Sequence, residues 1–545
     1  MSRPADGSQV QPRWWQTGVV YEIYPRSFGD ASGDGVGDLA GITGRLDYLA
    51  WLGVDAIWIA PFYPSPMADF GYDVADYTAV DPLFGTMADF DALLAAAHAY
   101  GIRVVVDYVP NHTSDQHPWF VESRRSLESA RRDWYYWRDP RPDGSLPNNW
   151  ISMFAGPAWE WDEATGQFYL HTFLKEQPDL NWRNPDARQA MFDVARFWLD
   201  RGVDGFRIDV APMVMKDPEL RDNPPDPAWD GTHRLGTWGK QIHEHDHAHA
   251  DMHPLYRDFR TLLDGYPGDR VSIGELHHPD FDRWAAYYGE AQDEIHVPFN
   301  FHLIHAPWTS AAVRTAVEGV QGVLPPGAYA SWVLGNHDQP RVASAARAGG
   351  EQARVAMLLL LTLRGTPTLY YGDEIGMVDV PVATEDSRDP LERREPGRGR
   401  DPERSPMQWD ASPNGGFCAP DVAPWLPLAP DAAKVNVAAQ ADDPDSLLTL
   451  TRRLLRLRRE HPVLHVGAFE ALPPTPDGTY AFRRTGPGGR LTVALNLTGE
   501  PRSVPASAGG RVLIGTHRER DNSEVTGAVE LRPHEALVIE EPVTG

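Results

Sequence analysis

Thr86-Met-Ala-Asp89-Phe90-Asp-Ala-Leu93-Leu94-Ala-Ala-Ala97-His-Ala-Tyr-Gly101-Ile-Arg-Val104-Val105-Val106-Asp107 is a complete helix-then-strand unit. Thr86 can cap the helix with Asp89 three residues on, and Phe90, Leu93, Leu94 and Ala97 fall on one helical face. Gly101 stops it. The valine run that follows is too continuous for a half-exposed strand and reads as a parallel strand covered on both sides, closed by Asp107.

The same grammar recurs at Gly53 before Ala56-Ile57-Trp58-Ile59-Ala60, and at Gly202 before Gly205-Phe206-Arg207-Ile208-Asp209. Repeated strand-helix units imply a mostly parallel sheet. Further apolar runs at Val19 to Tyr24, Val271 to Leu276, Ser331 to Leu334 and Thr368 to Tyr371, with a weaker one near Val297, bring the strands to eight. Eight predicts an α/β fold closed as a (β/α)8 TIM barrel. Between Asn111 and Asn181 the spacing breaks down into a Trp-, Pro- and Asp-rich segment longer than an ordinary connection, which predicts an inserted subdomain after the third strand. Gly376 to Trp409, dense in Arg, Asp, Glu and Pro, predicts a loop over the barrel mouth. From Gly467 short apolar runs alternate with Gly, Pro and Asp turns, as in an antiparallel β-sandwich. The expected division is therefore 1–110 and 181–466 for the barrel, 111–180 for the inserted subdomain and 467–545 for the C-terminal sandwich.

Composition bounds the partners. The chain has 545 residues and is 42% hydrophobic and 23% charged, as expected of a folded protein that buries roughly three quarters of its unfolded surface. A net charge of −27 argues against nucleic acid and anionic membranes, which reward clustered Lys and Arg. Cys418 is the single cysteine, so no intrachain disulfide can form. With no apolar leader in Met1 to Trp15 and no run of membrane-spanning length, the expected location is the cytoplasm. Monomer and homo-oligomer both stay open.

The chemistry should sit where strands end, because a barrel of this kind carries its site at the C-terminal ends of its strands. There Asp107, Asp209, Glu275 and Asp338 each close or follow an apolar run. Any one could be a helix cap; four together point to one acidic mouth. Arg207 and Asp209, two apart on a strand, share a face. The guanidinium should lower the pKa of Asp209, as a carboxylate nucleophile needs, although a structural ion pair would look the same. Neighbouring carboxylates and burial should raise Glu275 enough to hold a proton. One ionised and one protonated acid is a glycosidase arrangement.

Asp107-Tyr-Val-Pro-Asn111-His112, Gly205-Phe-Arg207-Ile-Asp209, Gly274-Glu275 and Asn336-His337-Asp338 resemble, in order and spacing, the four signature regions of the α-amylase clan. The resemblance implies a retaining glycoside hydrolase with Asp209 as nucleophile, Glu275 as acid then base and Asp338 binding sugar hydroxyls in the distorted transition state, and a carboxylate separation of about 5–5.5 Å. It implies that His112, Arg207 and His337 bind the glucosyl unit and that Asp107 supports the site from behind. Gln177-Pro-Asp-Leu-Asn-Trp182 resembles the oligo-1,6-glucosidase and α-glucosidase branch, a string that trehalose synthases and sucrose isomerases also carry. Asp69-Phe-Gly-Tyr72-Asp73 resembles the family's pocket for the non-reducing end, with Asp69 on sugar hydroxyls and Tyr72 on the ring face. Arg400, in Gly399-Arg400-Asp-Pro-Glu-Arg404, matches an arginine that helps close that pocket, implying exo action on a small α-glucoside with no catalytic cofactor.

Asp30, Ser32, Asp34 and Asp38, with the Val36 carbonyl, alternate oxygen ligands in a way that suits a structural Ca²⁺ or Mg²⁺; the family commonly has Asn at the Ser32 position, and a metal-free Gly-Asp turn is the alternative. His243, His245, His247, His249 and His253 lack zinc-type spacing and read as a solvated loop. Val210 resembles a residue of α-1,6-preferring relatives, but β-branched strand packing explains it equally well. Three functions follow: hydrolysis of terminal α-glucosides, a transglucosidase or isomerase using the same glucosyl-enzyme, and a non-catalytic barrel acting as a binding subunit. Retention of all three acids argues against the last.

Overall fold

Val20–Ile23 (β1), Ala56–Ile59 (β2), Arg103–Tyr108 (β3), Gly205–Ile208 (β4), Val271–Leu276 (β5), Val297–Asn300 (β6), Ala330–Val333 (β7) and Gly365–Tyr370 (β8) form one parallel sheet. They belong to a computed structural model that describes residues 12–231, 235–473, 477–505 and 510–542; Met1 to Gln11, most of the stretch read as lacking a leader, lie outside it. Hydrogen-bonded neighbours run β7-β8-β1-β2-β3-β4-β5-β6. The two end strands then meet, where the Asn300 side-chain amide donates to the Ser331 carbonyl, and the (β/α)8 barrel expected from the sequence is closed. The last strand starts earlier than its apolar run, because Gly365, Thr366 and Pro367 already pair with β7.

Alternation decides which side chains reach the barrel interior. Val20, Ala56, Trp58, Val105, Val271, Ile273, Val297, Phe299 and Val333 form an inner core, whereas Val104, Val106, Phe206 and Ile208 pack outward beneath the helices. Following the inner rows toward the C-terminal ends, apolar residues give way to Asp107 above Val105, Arg207 and Asp209 above Gly205, and Glu275 above Ile273. The register aligns Asp107 with Arg207 and Arg207 with Ile273, which sets these charges at one level.

The helices obey their caps. Met87–Ala99 starts on the Thr86–Asp89 capping box and buries Phe90, Leu93, Leu94 and Ala97. Pro185–Arg201 is capped by Asn184 and ends at Gly202 in the left-handed conformation. Between β3 and β4 the chain builds a three-stranded antiparallel sheet from Trp137–Arg138, Trp159–Asp162 and Gln167–Leu170, with its own small core around Trp150 and Trp159.

Beyond Gly467 the chain is antiparallel. A six-stranded sheet faces a two-stranded ribbon, Arg502–Val504 with Val529–Leu531. Ala481, Ala494, Leu537 and Ile539 pack toward the ribbon, while Tyr480, Phe482, Val493, Leu495 and Val538 join the core shared with the barrel helices. Two buried arginines, Arg458 on the preceding helix Leu447–Glu460 and Arg484 in this module, converge on the end of the Gly350–Thr362 helix. Arg458 donates to the carbonyls of Leu361, Leu363 and Gly365, and Arg484 to those of Thr362 and Gly467. Cationic side chains there also suit the negative end of the helix dipole. Among the described residues no helix is long and apolar enough to cross a membrane.

Two glycines separate backbone approach from backbone conformation. A Cβ on Gly205 would lie 2.2 Å from the Val271 carbonyl oxygen of the adjacent strand, whereas one on Gly101, at φ +75°, would meet nothing within 4 Å. Gly205→Ala is expected to destabilise the protein by about 3 kcal/mol or to prevent folding, since strand β5 cannot yield. Gly101→Ala is expected to cost about 1 kcal/mol. Urea unfolding of the two variants checks the difference.

Candidate active site

Arg207 is the centre of the charged layer. Its Nη1 lies 2.9 Å from Asp107 and 2.8 Å from Asp209, and its Nη2 lies 2.6 Å from Glu275. All four side chains are buried. Asp107 also accepts from the Trp58 indole (3.1 Å) and the Tyr72 hydroxyl (3.2 Å), so it braces the layer from behind. Asp209 and Glu275, joined through one planar guanidinium, open into one cavity of about 350 Å³. Asp69, Tyr72, His112, Asp338 and Arg400 line the same cavity, while Arg207 and His337 lie beneath its surface. Most of the expected sugar-binding residues therefore face the space a sugar would fill, and those two support it.

One end of the cavity is closed by a ladder of ion pairs. Arg400 reaches Asp69 (2.7 Å), Asp338 (3.3 Å) and Asp389 (2.8 Å) at once. Arg404 binds Asp338 at 2.6 Å and donates to the His337 carbonyl. These arginines and Asp389 come from the loop between Gly376 and Trp409, which folds over the mouth as its composition suggested. Beneath, His337 links Glu22 at Nδ1 (2.6 Å) to the Tyr72 hydroxyl at Nε2 (2.7 Å). Gln177 bridges Asp69 and His112, bringing the inserted subdomain into the wall. Lys216, fully buried, ties the loop after Asp209 to Asp179 (3.0 Å), Asn111 (2.9 Å) and Thr172 (3.1 Å).

Electrostatics in this layer differ from the sequence expectation. Burial, opposed by Arg207 and reinforced by Glu275, Asp107 and Asp338, pushes the Asp209 carboxyl well above the usual range. Glu275 is also penalised by burial, but Arg207 and then a hydrogen bond from His277 outweigh this and bring it down to about 2. The directions of both shifts are the reverse of those expected from the sequence. The cause is donor count: Glu275 has Arg207, the Val210 amide and His277, whereas Asp209 has Arg207 alone. Asp338, despite burial, is held well below the usual range by His337, Arg400 and Arg404. Burial keeps His112 neutral, down to about 4.

Val210 is corrected as well. Strand β4 ends at Ile208, and Val210 adopts φ 36°, ψ 46°, a left-handed conformation costly for a β-branched residue. Strand packing cannot explain it; the turn aims its amide at Glu275 (3.0 Å) and its side chain into the cavity. The histidine tract is not uniformly solvated either. His243 stacks on Trp238 at 3.5 Å and bonds Asp246, and His247 is buried and lines the cavity. In the Asp30–Asp38 loop the carboxylates accept the loop's own amides: Asp30 from Gly33 and Gly35, Asp34 from Val36, and Asp38 from Ala31, Ser32 and Gly41. The donors have the oxygen chemistry of a hard-cation site. Among the described residues, however, no group of three or more His, Cys, Asp or Glu side chains is gathered to hold a metal.

Residues 22–467 match the family described as "Alpha amylase, catalytic domain". The chain belongs to the α-amylase family. Residues 479–541 match a second description, "Beta-galactosidase C-terminal domain". Among α-amylase-family relatives, a probable α-glucosidase of Rhizobium meliloti is 42% identical, covering 89% of this chain and 90% of its own. An oligo-1,6-glucosidase of Parageobacillus thermoglucosidasius is 38% identical over 96% and 98%. Of solved structures, the α-glucosyl transfer enzyme XgtA superposes with a TM-score of 0.91 at 41% identity, over 97% of this chain and all of that one. The trehalulose synthase MutB of Pseudomonas mesoacidophila gives 0.88 at 34%, over 97% and 99%.

Within this α-amylase-family site, sequence reasoning passed over Glu22, Gln177 as a contact, Lys216, His277, Asp389 and Arg404. Asp389 is the most consequential for stability. Burial raises its pKa, but Arg400 first, then Arg404 and the Leu391 amide, bring it down to about 2. A depressed carboxylate stabilises the fold above its unfolded pKa and loses that contribution as pH falls toward the folded value. Between pH 5 and pH 3, Asp389→Asn is therefore expected to remove about 1 kcal/mol of the acid-induced loss of stability. Urea unfolding of both proteins at the two pH values checks it.

Proposed function

We propose that the protein is a retaining exo-α-glucosidase that removes terminal, non-reducing α-linked glucose from short oligosaccharides of the maltose and isomaltose type. The observation carrying this is the single guanidinium, Arg207, that holds Asp209 and Glu275 at one cavity whose far end is shut by Arg400, Asp69 and Asp389. A cavity closed on that side takes a chain end, not a chain middle. The names of the two glucosidase relatives support the same reading.

In the first step the ionised Asp209 attacks the anomeric carbon, the glycosidic bond breaks, and Glu275 gives its proton to the leaving oxygen. Water then gives a proton to the Glu275 carboxylate while its oxygen displaces Asp209 from the sugar. The productive form has Asp209 ionised and the proton on Glu275, whose Oε1 faces the cavity while the Val210 amide and Arg207 hold Oε2. Asp338, ionised and gripped by Arg400 and Arg404, is placed to bind ring hydroxyls. No cofactor enters these steps. The lone Cys418 supports a reducing, cytoplasmic setting.

A second reading, transfer of the glucosyl unit to a sugar, is favoured by the names of the two structural neighbours. Initial rates on maltose, isomaltose, sucrose and trehalose separate the two, since free glucose dominates for a hydrolase and new disaccharide for a transferase. Asp209→Asn and Glu275→Gln are each expected to lower turnover by about 10³-fold or more with unfolding midpoints little changed. The first glucose released, followed by NMR, should be the α anomer. Near-normal activity in Asp209→Asn, or β-glucose first, removes the proposal.

A cation on Asp30, Ser32, Asp34, the Val36 carbonyl and Asp38 would add stability and no chemistry. Calcium or magnesium is expected to raise Tm by a few degrees, and chelation to leave initial rates at 25 °C unchanged. No Tm response to either ion removes the cation from this account.

A further inference from the structure

We propose that His277 is a positioning residue for Glu275, fixing the orientation of the carboxyl and setting the pH range over which it can donate its proton. The inference rests on the assignment of Glu275 as acid and base. Strand β5 ends at Leu276, and the period of two places His277 on the inward face above Ile273 and Glu275, so its ring enters the cavity beside the carboxyl.

The contact is selective for one oxygen. Oε2 of Glu275 is occupied by the Val210 amide (3.0 Å) and by Arg207 Nη2 (2.6 Å). Oε1 is left for the reaction, and His277 Nε2 lies 2.9 Å from it. The imidazole has little freedom to leave, because it stacks on Phe301 at 3.7 Å between ring centroids, and Phe301 in turn stacks on His305 at 5.5 Å. Nδ1 of His277 is buried with no hydrogen-bond partner. With no partner for Nδ1 among the described residues, a proton there would be buried and unsatisfied, so the favoured tautomer carries its proton on Nε2 and donates to Oε1.

Such a donor stabilises the carboxylate left after proton transfer and holds Oε1 toward the leaving group. The other charges facing Glu275 are Arg207 and Asp209 at the end of the adjacent β4, Asp107 on β3 and Asp338 in the loop after β7; those facing His277 are Glu275, His305 across Phe301, and His247 from the loop after Asp209. Removing the His277 N–H leaves the remaining set unchanged and lets Glu275 keep its proton to higher pH.

The test compares His277→Phe, which keeps a ring on Phe301 but has no donor, with His277→Gln, which restores a neutral donor. His277→Met repeats the donor-less test should the Phe variant fold poorly. For His277→Phe, the basic limb of kcat/KM is expected to move up by about 1 pH unit. Its kcat on a disaccharide should fall about 10- to 100-fold. An aryl glucoside with an acidic phenol, which needs little proton assistance, should lose less than about 3-fold, with KM little changed on either substrate. His277→Gln should recover most of the disaccharide rate. A wild-type pH profile in both donor-less variants, or equal losses on both substrates, overturns the inference. Failure of the underlying reading is distinct: Glu275→Gln would itself remain active.

Discussion

One buried guanidinium organises the catalytic end of this barrel. Isolated carboxylates at Asp107, Asp209 and Glu275 would repel one another and pay a large desolvation cost, and Arg207 makes their proximity tolerable by touching all of them. That constraint reaches backward into the fold. Arg207 can occupy its position only because β4 lies between β3 and β5 in a register that puts Asp107 beside it, and because Gly205 below it has no side chain to press on β5.

The surroundings divide the labour by chemistry. Around Arg400 the cavity wall is ionic: Asp69 and Asp338 are held by Arg400 and Arg404, with Asp389 behind, so these groups are fixed in advance. Other parts of the wall are apolar or imidazole, with Val210, Met213, Trp238, His247 and His277.

How much was legible in the sequence follows from range. The barrel was readable because its signals are local: caps at Thr86, glycine stops at Gly101 and Gly202, and uninterrupted valines in β3. The carboxylates were readable because strand ends are local too. His277 carried the same two-residue offset from Glu275 that Asp209 has from Arg207, and the signal went unused. Glu22, Asp389 and Arg404 offered none of that kind, since their partners lie hundreds of residues away or across a long loop whose path no periodicity dictates. The conformation of Val210 was hidden for another reason: a β-branched residue after a strand argues for more strand, and only the tertiary demand for its amide at Glu275 reverses that. Donor counts set the directions in which the Asp209 and Glu275 carboxyls shift, and these too are three-dimensional, which is why the sequence suggested the opposite directions.

Arg484, which ties the tail to the barrel beside Arg458 of the preceding helix, gives the C-terminal module a meaning beyond an appendage. Leu361, Thr362, Leu363 and Gly365 present carbonyls where a helix hands over to the strand that seals the ring, and Arg458 and Arg484 arrive from about a hundred residues downstream to satisfy them. In the order of synthesis, the groups that satisfy this hand-over come after every catalytic carboxylate and from sequence that contains none. Excising that module to obtain a minimal enzyme would keep Arg458 on this hand-over but strip Arg484 from the Thr362 carbonyl.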